Sequence, residues 1–111
     1  MAENYPLELS VEDTKHLLDT QAGLVLLIDV REPDELEICR IPKAEPIPMR
    51  QILDHTATLP KNKHLLIYCH HGARSMRVTQ FLRANGFTAV TNVAGGIDAW
   101  AQALDPAMRR Y

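Results

Sequence analysis

Cys69 ends an apolar run, Leu65-Leu66-Ile67-Tyr68, and His70-His71-Gly72-Ala73-Arg74-Ser75 follow it as a turn leading into a helix. A thiol at such a junction faces a ring of backbone N–H groups and the positive end of the helix, and both favour the thiolate and hold anions. Gly72 permits the backbone angles of a tight curl. If the N–H groups of His70 through Ser75 converge, they form a cradle centred on the sulfur. Arg74 and Arg77 add permanent positive charge, whereas His70 and His71 add it only when protonated. The competing reading is a small apolar side chain buried at a strand end, since unoxidised cysteine is among the most buried residue types. A polar loop holding glycine, two histidines and an arginine is a poor closure for a purely structural turn, and it favours the nucleophile.

Other chemistry-bearing residues are scattered. Asp29 and Arg31 stand at the end of a second apolar run, where a carboxylate can tie down the loop around Cys69 and an adjacent arginine can pair with it or reach the pocket; a scaffold role is expected for both. Cys39 and Cys69 form no CxxC pair, so neither a dithiol motif nor a disulfide framework is indicated. Of the five histidines, His16, His55 and His64 read as surface or hydrogen-bonded residues. His70 and His71 are expected to do no more than hydrogen-bond. No second cluster has zinc-ligand spacing, and neither metal nor organic cofactor is expected.

The elements that must carry these residues alternate between strand and helix. Leu7 to Leu9 reads as a short lead-in strand. Ser10 with Glu12 and Asp13 reads as the start of a helix whose Val11, Thr14, Leu17 and Leu18 share a face, with an end near Gly23. Leu24 to Val30, Leu65 to Tyr68 and Ala89 to Val93 are continuous apolar runs, the pattern of strands covered on both faces. Glu45-Pro46-Ile47-Pro48 is an edge strand, because two prolines cannot donate ladder hydrogen bonds. Helices are expected at Pro33 to Ile38 after Glu32, around Met49, Ile52 and Leu53, at Ser75 to Ala84 with Val78, Phe81 and Leu82 inward, and at Ile97 to Leu104 with Trp100 in the core. Gly95-Gly96 turns the last strand into the last helix. The fold class is α/β: one domain over residues 1–111, core about 7–104, with a central, mostly parallel five-stranded sheet flanked by helices. Ligands in such sheets sit beyond the carboxyl ends of the strands, where Cys69 and Asp29 both fall.

With 12 Lys+Arg, 14 Asp+Glu and a net charge of -2, nothing draws the chain towards nucleic acid or membrane. The longest apolar run, Leu24 to Ile28, is far short of the ~18 residues of a membrane span. Ala2, Glu3 and Asn4 lack the basic start and apolar stretch of a secretory leader, so the cytoplasm is the expected compartment.

Three ordered motifs resemble those of the single-domain rhodaneses: Asp29-Val30-Arg31-Glu32-Pro33, Cys69-His70-His71-Gly72-Ala73-Arg74-Ser75, and Ala94-Gly95-Gly96-Ile97-Asp98-Ala99-Trp100. The resemblance implies a five-stranded α/β fold and sulfurtransferase activity. By match to the loop, Cys69 takes a sulfane sulfur from a donor such as thiosulfate, carries it as a persulfide and passes it to cyanide or another thiol, while His70 to Ser75 bind the anion. Transfer needs a second nucleophile at the outer sulfur, so the pocket must stay open to solvent or to a docking partner such as a sulfur-relay protein. The match departs at Cys39-Arg40-Ile41-Pro42-Lys43-Ala44, where the family often shows Gly-His-Ile and then Gly-Ala. Arg40 and Lys43 are expected to be solvated. Two other function classes compete: a non-catalytic sulfur carrier or binding module of the same fold, and a thiolate phosphatase or arsenate reductase. Four residues separate Cys69 from Arg74, against five in the tyrosine-phosphatase pattern, and the smaller bowl suits one sulfur atom better than a tetrahedral oxyanion.

Overall fold

Ser10 caps the first helix as its position predicts, its side chain accepting from the Asp13 amide at 3.1 Å. The computed structural model describes residues 5–111; Ala2, Glu3 and Asn4, which carry the reading against a leader, lie outside them. The elements run β1 (Glu8–Leu9), α1 (Val11–Thr20), β2 (Val25–Asp29), α2 (Pro33–Ile38), β3 (Glu45–Pro46), a 3₁₀ turn (Met49–Gln51) continuing into α3 (Ile52–His55), β4 (His64–Tyr68), α4 (Ala73–Ala84), β5 (Val90–Val93) and α5 (Gly96–Ala103). The strands form one five-stranded sheet in the order β1-β5-β4-β2-β3, and all four ladders are parallel.

The continuous apolar runs are buried on both faces, and β4 shows why. Leu65 and Ile67 point to one face, into a core with Ile28, Val78, Leu82 and Val90 from beneath α3 and α4. Leu66 and Tyr68 point to the other, into a core with Val11, Ile97 and Trp100 from α1 and α5. Central pairings such as Ile28 with Ile67 put the ends of β2 and β4 side by side, Asp29 opposite Tyr68. The loops that follow, carrying Arg31 and Cys69, therefore emerge together at the carboxyl edge of the sheet.

Several boundaries differ from the sequence reading. α1 stops at Thr20 rather than near Gly23, α4 begins at Ala73 rather than Ser75, and the edge strand pairs only over Glu45–Pro46. Phe81 is not inward: Ser75, Val78, Thr79 and Leu82 form the buried stripe of α4, and Phe81, one helical step off it, is exposed beside Leu53. No helix among the described residues is long and apolar enough to cross a membrane.

Candidate active site

Three donors converge on the Cys69 sulfur: the Gly72 amide at 3.1 Å, the Ser75 amide at 3.4 Å and the Ser75 hydroxyl at 3.3 Å. Ser75 is fully buried and is the third residue of α4. Its amide is thus one of the helix's unpaired first-turn donors, aimed out of the positive end at the thiol. The cradle is narrower than the expected ring from His70 to Ser75, two amides and one hydroxyl. The thiol is also deeper than expected. Cys69 is only 1% exposed and packs in the core beneath α3 and α4, with Gly72 and Ser75 of its own loop and helix start against the sulfur.

The loop is held from the side by α5. The Ile97 amide donates to the Cys69 carbonyl at 2.9 Å and the Asp98 amide to the His70 carbonyl at 3.1 Å. This close approach is why residue 96 is glycine. A Cβ there would lie 2.4 Å from the Cys69 carbonyl oxygen and 2.5 Å from that of His70, at a φ of +61°. Gly96→Ala should destabilise the fold by about 2 kcal/mol and, by pushing the loop off α5, uncover the thiol and speed alkylation of Cys69. Urea denaturation with an alkylation-rate measurement on Cys69 checks this, and an unchanged rate would show that the α5 contacts do not set the loop.

Around the loop runs a rim of paired charges. Arg74 makes a two-pronged pair with Glu35, at 2.6 and 2.9 Å. The Glu32 amide donates to the same carboxylate at 3.1 Å as part of the capping box that starts α2. With Arg74 as the main cause, the Glu35 carboxyl is held down at about 2. Tyr111 donates to the other Glu35 oxygen at 2.6 Å, accepts from Arg31 at 3.0 Å and stacks flat on His70, centroids 3.8 Å apart and planes within 6°. Burial and the neighbouring carboxylate push its phenol up to about 12, so it stays a donor at neutral pH. His70 is lowered by burial and by the adjacent His71. Both histidines are therefore in contact with other groups, His71 with Asp98 at 3.9 Å.

Asp29 and Arg31 form a fully buried ion pair, Nη2 to Oδ2 at 2.8 Å with Nε 3.0 Å from Oδ1. Arg31 also donates to the carbonyls of Cys39 at 2.8 Å and Glu35 at 3.3 Å. The pair thus ties the end of α2 to the sheet edge, and Arg31 is turned towards these carbonyls and Tyr111. Cys39 is a free thiol beside Arg31, 3.9 Å from Nη1. Lys43, where the family pattern often has glycine, sits at a φ of +71°. Among the described residues no group of three or more His, Cys, Asp or Glu is placed to hold a metal ion.

Sequence reasoning passed over two rim residues, Glu35 and Tyr111. Glu35 has a sequence signal, three residues after the Glu32 cap; Tyr111 has none, because its contacts span 76 and 80 positions.

Comparison with known proteins bears on this geometry. The model of the Rhodanese-like domain family matches residues 10–103. A sulfurtransferase of Allochromatium vinosum is 39% identical over 89 residues, which cover 80% of this chain and 81% of that protein. A chloroplastic Rhodanese-like/PpiC domain-containing protein of Arabidopsis thaliana is 40% identical over 89 residues, and a putative sulfur carrier protein of Bacillus subtilis 34% over 93. These cover 77% and 84% of this chain, but only 30% and 50% of those relatives. The crystal structure of a rhodanese-like domain protein from Staphylococcus aureus superimposes with a TM-score of 0.79 at 32% identity, over 96% of this chain and 99% of that one.

Proposed function

The chain belongs to the Rhodanese-like domain family, and from that premise we propose that it moves a sulfane sulfur from a donor such as thiosulfate or a persulfide to a thiophilic acceptor, cyanide or a thiol, through a persulfide on Cys69. Relatives named sulfurtransferase and sulfur carrier support a sulfurtransferase or sulfur-carrier role in general. The observation that carries the finer reading is the set of three donors on one sulfur, from Gly72 and Ser75. Donors so placed suit a negatively charged sulfur, first the thiolate and then the terminal atom of the persulfide.

With thiosulfate as donor, the Cys69 thiolate attacks the outer sulfur, a new S–S bond forms, the bond to the sulfite sulfur breaks and its electron pair leaves on sulfite. Cys69 then carries a persulfide anion. In the second half, a cyanide or thiolate acceptor attacks that outer sulfur, and the electron pair of the S–S bond returns to Cys69. Neither half needs a metal or organic cofactor in this scheme. The proposed setting is the cytoplasm, where the two free cysteines stay reduced.

Intact-mass measurement after treatment with thiosulfate or a thiol persulfide tests the proposal. One dithiothreitol-removable sulfur should appear, and peptide mapping should place it on Cys69 rather than Cys39. Loading by a persulfide without loading by thiosulfate would favour the carrier reading. Hydrolysis of an aryl phosphate with no sulfur loading would overturn both.

A further inference from the structure

The two arginines nearest the loop are not free to receive an anion. Arg31 is buried against Asp29, and Arg74 is engaged by both oxygens of Glu35. Each guanidinium is matched by one carboxylate, so neither adds an unopposed charge for an arriving molecule, in contrast to the sequence expectation of a pocket made anion-seeking by Arg74. A dianion such as thiosulfate must compete with Glu35 for Arg74 and meets a carboxylate as it does so. A sulfur carried on a thiol brings no sulfonate-type oxygens that must take Arg74 from Glu35.

Tyr111 keeps this arrangement in place. Its ring lies flat on His70, its hydroxyl proton goes to Glu35 and its oxygen accepts from Arg31, which is itself buried and paired with Asp29. Arg110, the preceding residue, pairs with Asp98 at 2.9 Å. The segment therefore spans the loop's mouth from the start of α5 to α2. Glu35 is fixed from three directions, by Arg74, by the Glu32 amide and by Tyr111. Its carboxyl, at about 2, is charged at every pH where a thiol reacts.

We propose that Glu35 and Tyr111 are specificity-determining positioning residues that hold the Arg74 guanidinium away from incoming anions and so turn Cys69 from free oxyanionic donors towards sulfur carried on a thiol. The inference rests on Cys69 being the reacting thiol and deepens that reading by assigning its donor class.

Alkylation of Cys69 in a Cys39→Ser background tests it without relying on sulfur transfer. Iodoacetate and iodoacetamide are close in size and differ by one charge, so the ratio of their rates reads the field at the sulfur, whereas a loosened loop speeds both alike. Glu35→Gln should raise the iodoacetate-to-iodoacetamide ratio roughly fivefold, and Tyr111→Phe, which keeps the stack and removes only the hydroxyl, roughly twofold. Arg74→Ala, leaving Glu35 uncompensated, should lower it below wild type. A ratio unmoved by both Glu35→Gln and Tyr111→Phe would overturn the proposal. Thiosulfate loading should follow the same order across the variants. If the ratio shifts as stated but no variant accepts sulfur from any donor, the lock stands and the transfer reading falls. If wild type loads sulfur but the ratio does not move, the reverse holds. A Cys69 that neither reagent modifies in any variant would overturn both.

Discussion

Cys69→Ser should abolish sulfur loading and transfer, by on the order of 10⁴-fold or more, while leaving the domain folded. The reaction consumes a charged sulfur, and a serine hydroxyl in the same place stays protonated and bonds sulfur poorly. The fold should tolerate the exchange because the site already supplies polar partners. The Gly72 and Ser75 amides, which now donate to Sγ, can donate to a serine oxygen, so burial at 1% exposure does not strand the new hydroxyl. The expected stability change is within about 1 kcal/mol. Mass spectrometry after donor treatment and thermal unfolding check the two halves separately. Loading that persists in the variant would move the carrier to Cys39. Loading lost together with the fold would leave the chemistry unassigned to the sulfur, and Cys69→Ala, which keeps only the packing, then decides by whether the folded protein loads.

The loop that carries Cys69 is legible in sequence because the chemistry is local. A strand that ends in cysteine, a glycine and a helix start lie within seven residues, and local periodicity finds all of them. The doubly buried strands are legible for the same reason. What escapes is whatever depends on two segments meeting. Gly96 reads as a turn residue, yet its part is to let α5 donate to the Cys69 and His70 carbonyls. Arg74 reads as free charge because nothing within a helical turn neutralises it, and its partner Glu35 comes from α2, 39 positions away. The depth of the thiol escapes too. Sequence places Cys69 at the sheet edge, but its burial depends on a core it shares with Ile47, Ile52 and Val78, which come from other segments. Phe81 shows the opposite limit: an apolar residue near the stripe is counted inward by pattern, although the helix turns it to solvent.

Asp29 and Arg31 separate stability from function. Asp29→Ala should cost about 3–5 kcal/mol, because it leaves the Arg31 guanidinium buried with no countercharge. That is a large share of the roughly 5–15 kcal/mol holding a domain of this kind together. The double variant Asp29→Ala/Arg31→Met should recover much of the loss, since two apolar side chains can replace a buried pair at little net cost. Recovery of stability should not bring recovery of the site. Arg31 alone reaches the carbonyls of Cys39 and Glu35 and the Tyr111 hydroxyl, and methionine donates to none of them. The double variant should therefore fold yet show the relaxed charge selectivity expected of Tyr111→Phe, because Glu35 and Tyr111 have lost their fixed anchor. Urea titration measures the first effect and the alkylation ratio the second. If the double variant regains both stability and wild-type selectivity, the buried pair is scaffold in the plain sense, and the rim is positioned by Glu35 and Arg74 without it.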